Sequence, residues 1–174
     1  VTAGKPMWRG GLSGTRSLFM HADRPMISGN RTSSLIHELI HVGTGISGGK
    51  RADWIVEGLA EYYASAILMR TGGMSDWRYA QVIEWKTAWA EEADTLFARR
   101  SSGPVTARAA VFMHRLDQAL ARATDGEAGI DDVTRALARE RGRVSLGQLK
   151  DIVAGLAGEA VDVDALIKTL EGAH

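Results

Sequence analysis

The chain has 174 residues, enough for one domain or for one domain with a small additional lobe. Lys and Arg number 21 and Asp and Glu also number 21, so the formal net charge is +0, and nothing favours binding to nucleic acid or to an anionic membrane. There is no cysteine, which excludes disulfides and thiol ligands, and no apolar run approaches the roughly 20 residues of a membrane span.

Short strands come before the helices in the predicted order of elements. Residues 1–16 are rich in glycine and are predicted to be irregular. Two short strands, at 17–22 and 25–28, are predicted to form a hairpin. Thr32 or Ser33 can cap the helix that follows, because a side-chain oxygen at this position accepts a bond from a free backbone N–H.

Helical periodicity dominates the rest of the chain, and runs of glycine or proline separate the helices. The further helices are predicted at about 53–70, 75–99, 105–124, 130–141, 145–156 and 163–170. The fold class that follows is α+β and predominantly α-helical, with a small sheet at the start.

The first helix carries a His-Glu-x-x-His pattern at His37, Glu38 and His41. Helix positions i and i+4 lie on one face, so the two imidazoles point toward the same place. Two neutral imidazoles suit Zn²⁺, and a neighbouring carboxylate can take a proton from a water that zinc activates. The pattern predicts His37 and His41 as zinc ligands and Glu38 as the general base.

The second helix supplies two acids, Glu57 and Glu61, which lie one turn apart on one face. A catalytic zinc site uses three protein ligands and keeps one position for water, so Glu57 is predicted to be the third ligand. Glu61 is predicted to accept the free N–H of a ligand histidine, with His37 as the favoured partner. Gly58 is predicted to let the second helix approach the first closely. The alternative interpretation is two acids on a solvated helix face.

These two segments together resemble the gluzincin clan of zinc metallopeptidases, which includes thermolysin and aminopeptidase N. The chain is most similar to the glycyl aminopeptidase family and related peptidase-MA-type domains, over roughly residues 17–170. The resemblance implies a zincin-like, thermolysin-type catalytic domain with a reduced N-terminal β portion and a helical C-terminal lobe. It also implies that the glutamate of the second motif, here Glu57, is the third zinc ligand.

The chain departs from the family pattern in two places. The glycine-rich segment between His41 and Glu57 is shorter than is common in the clan. The family also tends to carry a tyrosine followed by a basic residue, and the tyrosine is thought to help stabilise the oxyanion. Thr106 occupies the place of that tyrosine and Arg108 is the basic residue, so Arg108 is predicted to have a catalytic role.

A few other residues are candidates for a part in the site. In the clan the substrate lies as an added strand along a sheet edge beside the zinc, and the hairpin at 18–28 is the candidate for that edge. A plain packed hairpin is the alternative. His21 is a possible site residue, although a single strand histidine is more often structural. Tyr79 and His114 are the remaining candidate proton donors.

The predicted function is a zinc-dependent, aminopeptidase-like metallopeptidase that acts on a peptide or protein substrate. A zinc-site subdomain at 1–72 and a helical C-terminal subdomain at 73–174 are expected. The alternative is a non-catalytic zinc-binding domain that binds peptides or has a structural role. Neither nucleic acid nor a membrane span is expected. The start at Val1 rather than Met, together with the resemblance, leads us to expect further N-terminal domains in a longer parent protein, and no targeting segment indicates a compartment.

Overall fold

A computed structural model describes residues 1–5, 11–29, 31–140 and 142–172 of the chain, which form an α+β fold that is predominantly helical. The strands are β1 (Thr2–Gly4), β2 (Gly11–Gly14), β3 (Ser17–His21), β4 (Ser47–Gly48) and β5 (Arg143–Val144). The helices are α1 (Ser34–Thr44), α2 (Asp53–Arg70), α3 (Asp76–Ala90), α4 (Pro104–Ala123), α5 (Ile130–Glu140), α6 (Leu146–Ala157) and α7 (Val163–Glu171).

The N-terminal sheet has the strand order β1-β3-β2, with β1 parallel and β2 antiparallel to β3. The strand predicted at 17–22 is confirmed as β3. The strand predicted at 25–28 is wrong, because the backbone there turns and the N–H of Ser28 donates to the carbonyl of Thr32 at 2.9 Å. The prediction that residues 1–16 are irregular is also wrong for β1 and β2, while residues 6–10 lie outside the described part.

The predicted helices are confirmed, and α2 has the predicted bounds of 53 and 70. Ser33 is the cap of α1, as its side chain accepts from the N–H of Ile36. One helix is shorter than predicted, since α3 ends at Ala90 rather than near residue 99.

The segment that links α3 to α4 is fixed by side chains from two other helices. Glu171 of α7 accepts from the N–H of Leu96 at 2.8 Å and from the hydroxyl of Thr95 at 2.9 Å. Asp53 of α2 accepts from the N–H of Ser101 at 2.7 Å. These tertiary hydrogen bonds satisfy the backbone locally, so this stretch does not need to continue as helix.

The hydrophobic core is centred on α2, in which Trp54, Ile55 and Leu59 are almost completely buried. The same core includes residues on both sides of position 72, and the division into subdomains at 72/73 stays a prediction. The close approach predicted for Gly58 exists, but its partner is α4 rather than α1. A Cβ built on Gly58 would lie 2.8 Å from the Cβ of Ala109.

On the far side of α2 a polar network ties it to α4 and α5. The hydroxyl of Tyr62 donates to Asp117 at 2.7 Å, and the hydroxyl of Tyr63 donates to Asp131 at 2.7 Å. Arg70 donates to both carboxylate oxygens of Asp131 at 2.9 Å. Burial opposes the charge of Asp131, but the bonds from Arg70 and Tyr63 outweigh it and hold the pKa of Asp131 below its usual value.

Among the helices of the described residues, none combines the length and the apolar character that crossing a lipid bilayer requires.

The contact between α2 and α4 predicts the effect of substituting Gly58. Gly58→Ala forces a methyl group into contacts of 2.8–3.0 Å with Ala109, so the variant is expected to lose about 1–3 kcal/mol of unfolding free energy. Gly155→Ala is the matched control, because this α6 position has open space and alanine there is expected to stabilise by about 0.5–1 kcal/mol. Urea unfolding measures both, and an unchanged stability for Gly58→Ala would contradict the packing.

The ion pair of Asp131 predicts a pH-dependent stability. A carboxyl whose pKa is lowered by folding stabilises the folded state above its unfolded pKa of about 3.9 and loses this contribution as the pH falls through the folded value. Asp131→Asn is therefore expected to be less stable than the parent near pH 7, with a difference that shrinks below about pH 4. Urea unfolding across this range measures the difference, with Asp151→Asn on the exposed face of α6 as control. A difference that grows with acidity would disprove the pairing.

Candidate metal site

Two helices bring three potential ligands to one point. His37 and His41 extend from one face of α1, and Glu57 extends from α2 toward them. The Nε2 atoms of the two histidines are 3.2 Å apart. The Glu57 carboxylate oxygens lie 3.3 Å from His37 Nε2 and 3.6 Å from His41 Nε2. Among the described residues, these two histidines and one glutamate form a group whose ligand atoms lie close enough together to hold a metal ion.

The spacing of these atoms can be tested against the geometry of zinc. In a tetrahedral site with ligands at about 2.0–2.1 Å from the ion, neighbouring ligand atoms are about 3.3–3.4 Å apart. The separations of 3.2, 3.3 and 3.6 Å between the three candidate ligands therefore match, and the set of two imidazoles and one carboxylate is typical of catalytic zinc. The residues present fit a zinc ion with a fourth position left for water.

Glu61 lies behind His37, as the sequence predicted. Its Oε2 is 3.1 Å from His37 Nδ1, so the imidazole donates its Nδ1–H to the carboxylate and leaves Nε2 as the metal-facing atom. Burial works against a charged His37, but hydrogen bonds to Glu57 and Glu61 outweigh it and raise the pKa of His37 to about 9. For His41, burial lowers the pKa. The two carboxylates thus favour positive charge at the point where the three ligand atoms meet.

A buried lysine completes this arrangement from α3. Lys86 is 0% exposed, and its Nζ donates to Oε1 of Glu61. Burial disfavours the charge of Glu61, yet the hydrogen bond from His37 and the charge of Lys86 lower the pKa of Glu61 to about 2. Glu61 is therefore an anion that holds a lysine with one oxygen and a histidine with the other.

Glu38 lies beside the three ligands and lines the cavities on both sides of them. A Cβ built on Gly11 would lie 2.7 Å from Cγ of Glu38 and 3.1 Å from Oε1, so β2 passes directly against this carboxylate. Gly11 is the first residue of β2, which is one of the two edge strands of the described sheet. The structure therefore brings the edge to the site through β2 and not through the predicted hairpin at 18–28.

Two cavities open beside the candidate ligands. One has a volume of about 340 Å³, and its wall includes Glu38, Trp89 and Thr106. The other has a volume of about 660 Å³ and extends along β2 past Leu12 and Ser13. Both reach His37 and Glu57, and the larger one also reaches His41.

The structure does not bring Arg108 to the site. This side chain is 2% exposed and its Nε donates to the carbonyl of Ala90 at 3.0 Å, so it packs between α4 and α3. Arg108 lines neither of the two cavities, whereas Thr106 and Ala107, which precede it on α4, line the smaller one. The predicted catalytic role of Arg108 is not supported, because its position on the helix turns it toward the core.

His21 and His114 have partners outside the group of candidate ligands. His21 is buried and its Nδ1 accepts from the N–H of Asp23 at 3.1 Å, which stabilises the turn after β3. Nδ1 of His114 lies 3.3 Å from the hydroxyl of Tyr79. Neither Tyr79 nor His114 lines the cavities at the site. Tyr62 is buried in the core.

Lys86 contacts Glu61 although it was not predicted to have a role in the site, and Trp89 lines the smaller cavity. The signal for Lys86 was available, since the buried residues of α3 are Tyr79, Val82, Lys86 and Ala90, which follow helical spacing. A lysine within such an apolar stripe needs a buried anion as its partner. Trp89 is one of several tryptophans on α3, and the sequence alone does not show which of them faces a pocket.

Comparison with protein-family models, with curated proteins and with solved structures gives no match to this chain. The case for its function therefore depends on the geometry of the site.

Removal of a candidate ligand predicts loss of metal. His41→Ala and Glu57→Gln each leave two ligands, and zinc affinity is expected to fall by more than about a hundredfold, beyond the usual effect of an outer-sphere substitution. Competition with a chromophoric chelator measures the affinity. His114→Ala is the control, because this half-buried histidine lies outside the site. The zinc affinity of this variant is expected to equal that of the parent. Equal affinity in all variants would disprove the ligand set.

Proposed function

We propose that this chain is a zinc-dependent metallopeptidase domain of zincin-like, thermolysin-type fold. The observation that carries the proposal is the convergence of His37, His41 and Glu57 at separations of 3.2–3.6 Å, with Glu38 beside them and an accessible cavity in front. Zinc at this point would lower the pKa of a bound water toward ~7 and polarise the carbonyl of a peptide bond.

The chain's own residues divide the remaining tasks. Glu38 takes the proton of the attacking water as general base and then passes it to the leaving amine. Glu61 holds His37 in the tautomer that keeps Nε2 free. A substrate backbone pairs with the free edge of β2, which passes along the larger cavity and against Glu38. This pairing places a peptide bond near the general base.

A non-catalytic zinc-binding domain is the second candidate, and the position of Arg108 favours it. Thr106 stands where the resemblance expects the oxyanion tyrosine, and Arg108, the residue predicted to act there, is turned into the core with its Nε donating to the carbonyl of Ala90. In this alternative the metal ties α1 to α2 and contributes to folding, and a peptide binds at the edge of β2 without being cleaved.

Substitution of Glu38 separates the two candidates. Glu38→Gln keeps the three ligands and removes the base, so zinc affinity is expected to be unchanged while peptide hydrolysis falls by at least about a hundredfold. Hydrolysis is measured on a mixed peptide library by mass spectrometry, and added chelator must abolish it. Glu84→Gln, on the exposed side of α3, is the matched control and is expected to keep full activity.

Two outcomes would count against the peptidase proposal. Full hydrolysis by Glu38→Gln would exclude this glutamate as the base. A zinc-loaded parent that binds peptides but never cleaves them would support the non-catalytic domain instead.

A further inference from the structure

We infer that Lys86 is a positioning residue of the site, which acts on the metal ligand His37 through Glu61. This inference rests on the proposed function, because it assumes that His37 holds a metal. No step of the mechanism proposed above uses Lys86. The inference assigns a task to the one lysine of the described residues that is completely buried.

The energetic cost of burying Lys86 shows that its partner matters. A lysine ammonium removed from water is unfavourable unless an anion and hydrogen bonds replace the lost solvation. Lys86 is 0% exposed on the face of α3 that packs into the protein, and Glu61 of α2 supplies the anion. An apolar residue would fill this position without that cost, so the lysine has a role beyond packing.

The two oxygens of Glu61 have different partners. Oε1 accepts from Lys86 Nζ, and Oε2 lies 3.1 Å from Nδ1 of His37. Two donors on two sides fix the plane of the carboxylate, which then fixes the orientation of the imidazole. The Nε2 of His37 is thereby held 3.3 Å from Glu57 and 3.2 Å from His41, at the distances that suit zinc.

Loss of the lysine would disturb this chain of contacts. In Lys86→Met, Oε1 of Glu61 is left in the α2–α3 interface without its donor, and a carboxylate oxygen in this state seeks another donor or water. Glu61 then rotates away from His37, and the imidazole is no longer held toward Glu57. Removal of an outer-sphere partner of a ligand histidine costs 10–100-fold in metal affinity, and for Lys86→Met we expect roughly tenfold.

A purely structural bridge between α2 and α3 is the competing explanation, and a double-mutant cycle separates the two. The cycle comprises the parent, Lys86→Met, Glu61→Gln and the double variant. If Lys86 acts through the carboxylate, Lys86→Met weakens zinc binding about tenfold in the parent and leaves it unchanged or improved in the Glu61→Gln background. If Lys86 only bridges helices, Lys86→Met weakens zinc binding equally in both backgrounds.

Zinc affinity is measured by chelator competition, and the visible absorption of the cobalt(II)-loaded protein reports the ligand geometry without any need for activity. We expect the cobalt spectrum to change in Lys86→Met. Lys150→Met is the matched control, because Lys150 pairs with Asp164 at 2.7 Å on the surface, and its spectrum and affinity are expected to equal those of the parent. The double variant lacks both charges of the buried pair, so it provides a folded reference if Lys86→Met alone is unstable.

The outcomes distinguish this inference from the proposed function. A parent that binds neither zinc nor cobalt would overturn both. A parent that binds zinc, together with Lys86→Met of unchanged affinity and spectrum, would overturn the positioning role alone. Equal losses in the two backgrounds of the cycle would likewise reduce Lys86 to a structural bridge.

Discussion

A hydrogen bond of 3.1 Å between Oε2 of Glu61 and Nδ1 of His37 connects the two helices on which the candidate site depends. The bond decides which nitrogen of His37 faces the other ligands, and Lys86 fixes the carboxylate from the opposite side. Since most residues of α2 are buried, core packing fixes the helix and with it the position of Glu61. The candidate ligands are therefore preorganised by the same packing that stabilises the fold.

The helix α2 has a separate task on each of its faces. One face presents Glu57 and Glu61 to α1. At Gly58 the backbone packs so closely against α4 that a Cβ would collide with Ala109. On another face, the hydroxyls of Tyr62 and Tyr63 donate hydrogen bonds to carboxylates of α4 and α5. These contacts all belong to one helix, so the packing of α2 against α4 and α5 helps to set where Glu57 and Glu61 lie relative to the histidines.

The sequence was sufficient to predict features that depend on local helix geometry. It was insufficient for features that depend on contacts with distant parts of the chain. Helical spacing alone placed His37 and His41 on one face of α1, and the bounds of α2 followed from its composition. Arg108 could not be placed in the same way, because a helical pattern does not reveal which neighbour covers each face. The strands β1 and β2 were missed because glycine-rich segments become strands only through pairing with β3. Lys86 is a different case, because its place in the apolar stripe of α3 was a usable signal of a buried partner that the sequence predictions did not include.

The link between α3 and α4 contacts α7 at one end and the smaller cavity at the other. Glu171, near the end of α7, anchors this link at Thr95 and Leu96, and Asp53 anchors it at Ser101. Directly after that second anchor, the link forms part of the wall of the smaller cavity. Trimming the chain before Glu171 would remove the side chain that anchors Thr95 and Leu96, so versions of this protein made for binding measurements should keep that residue.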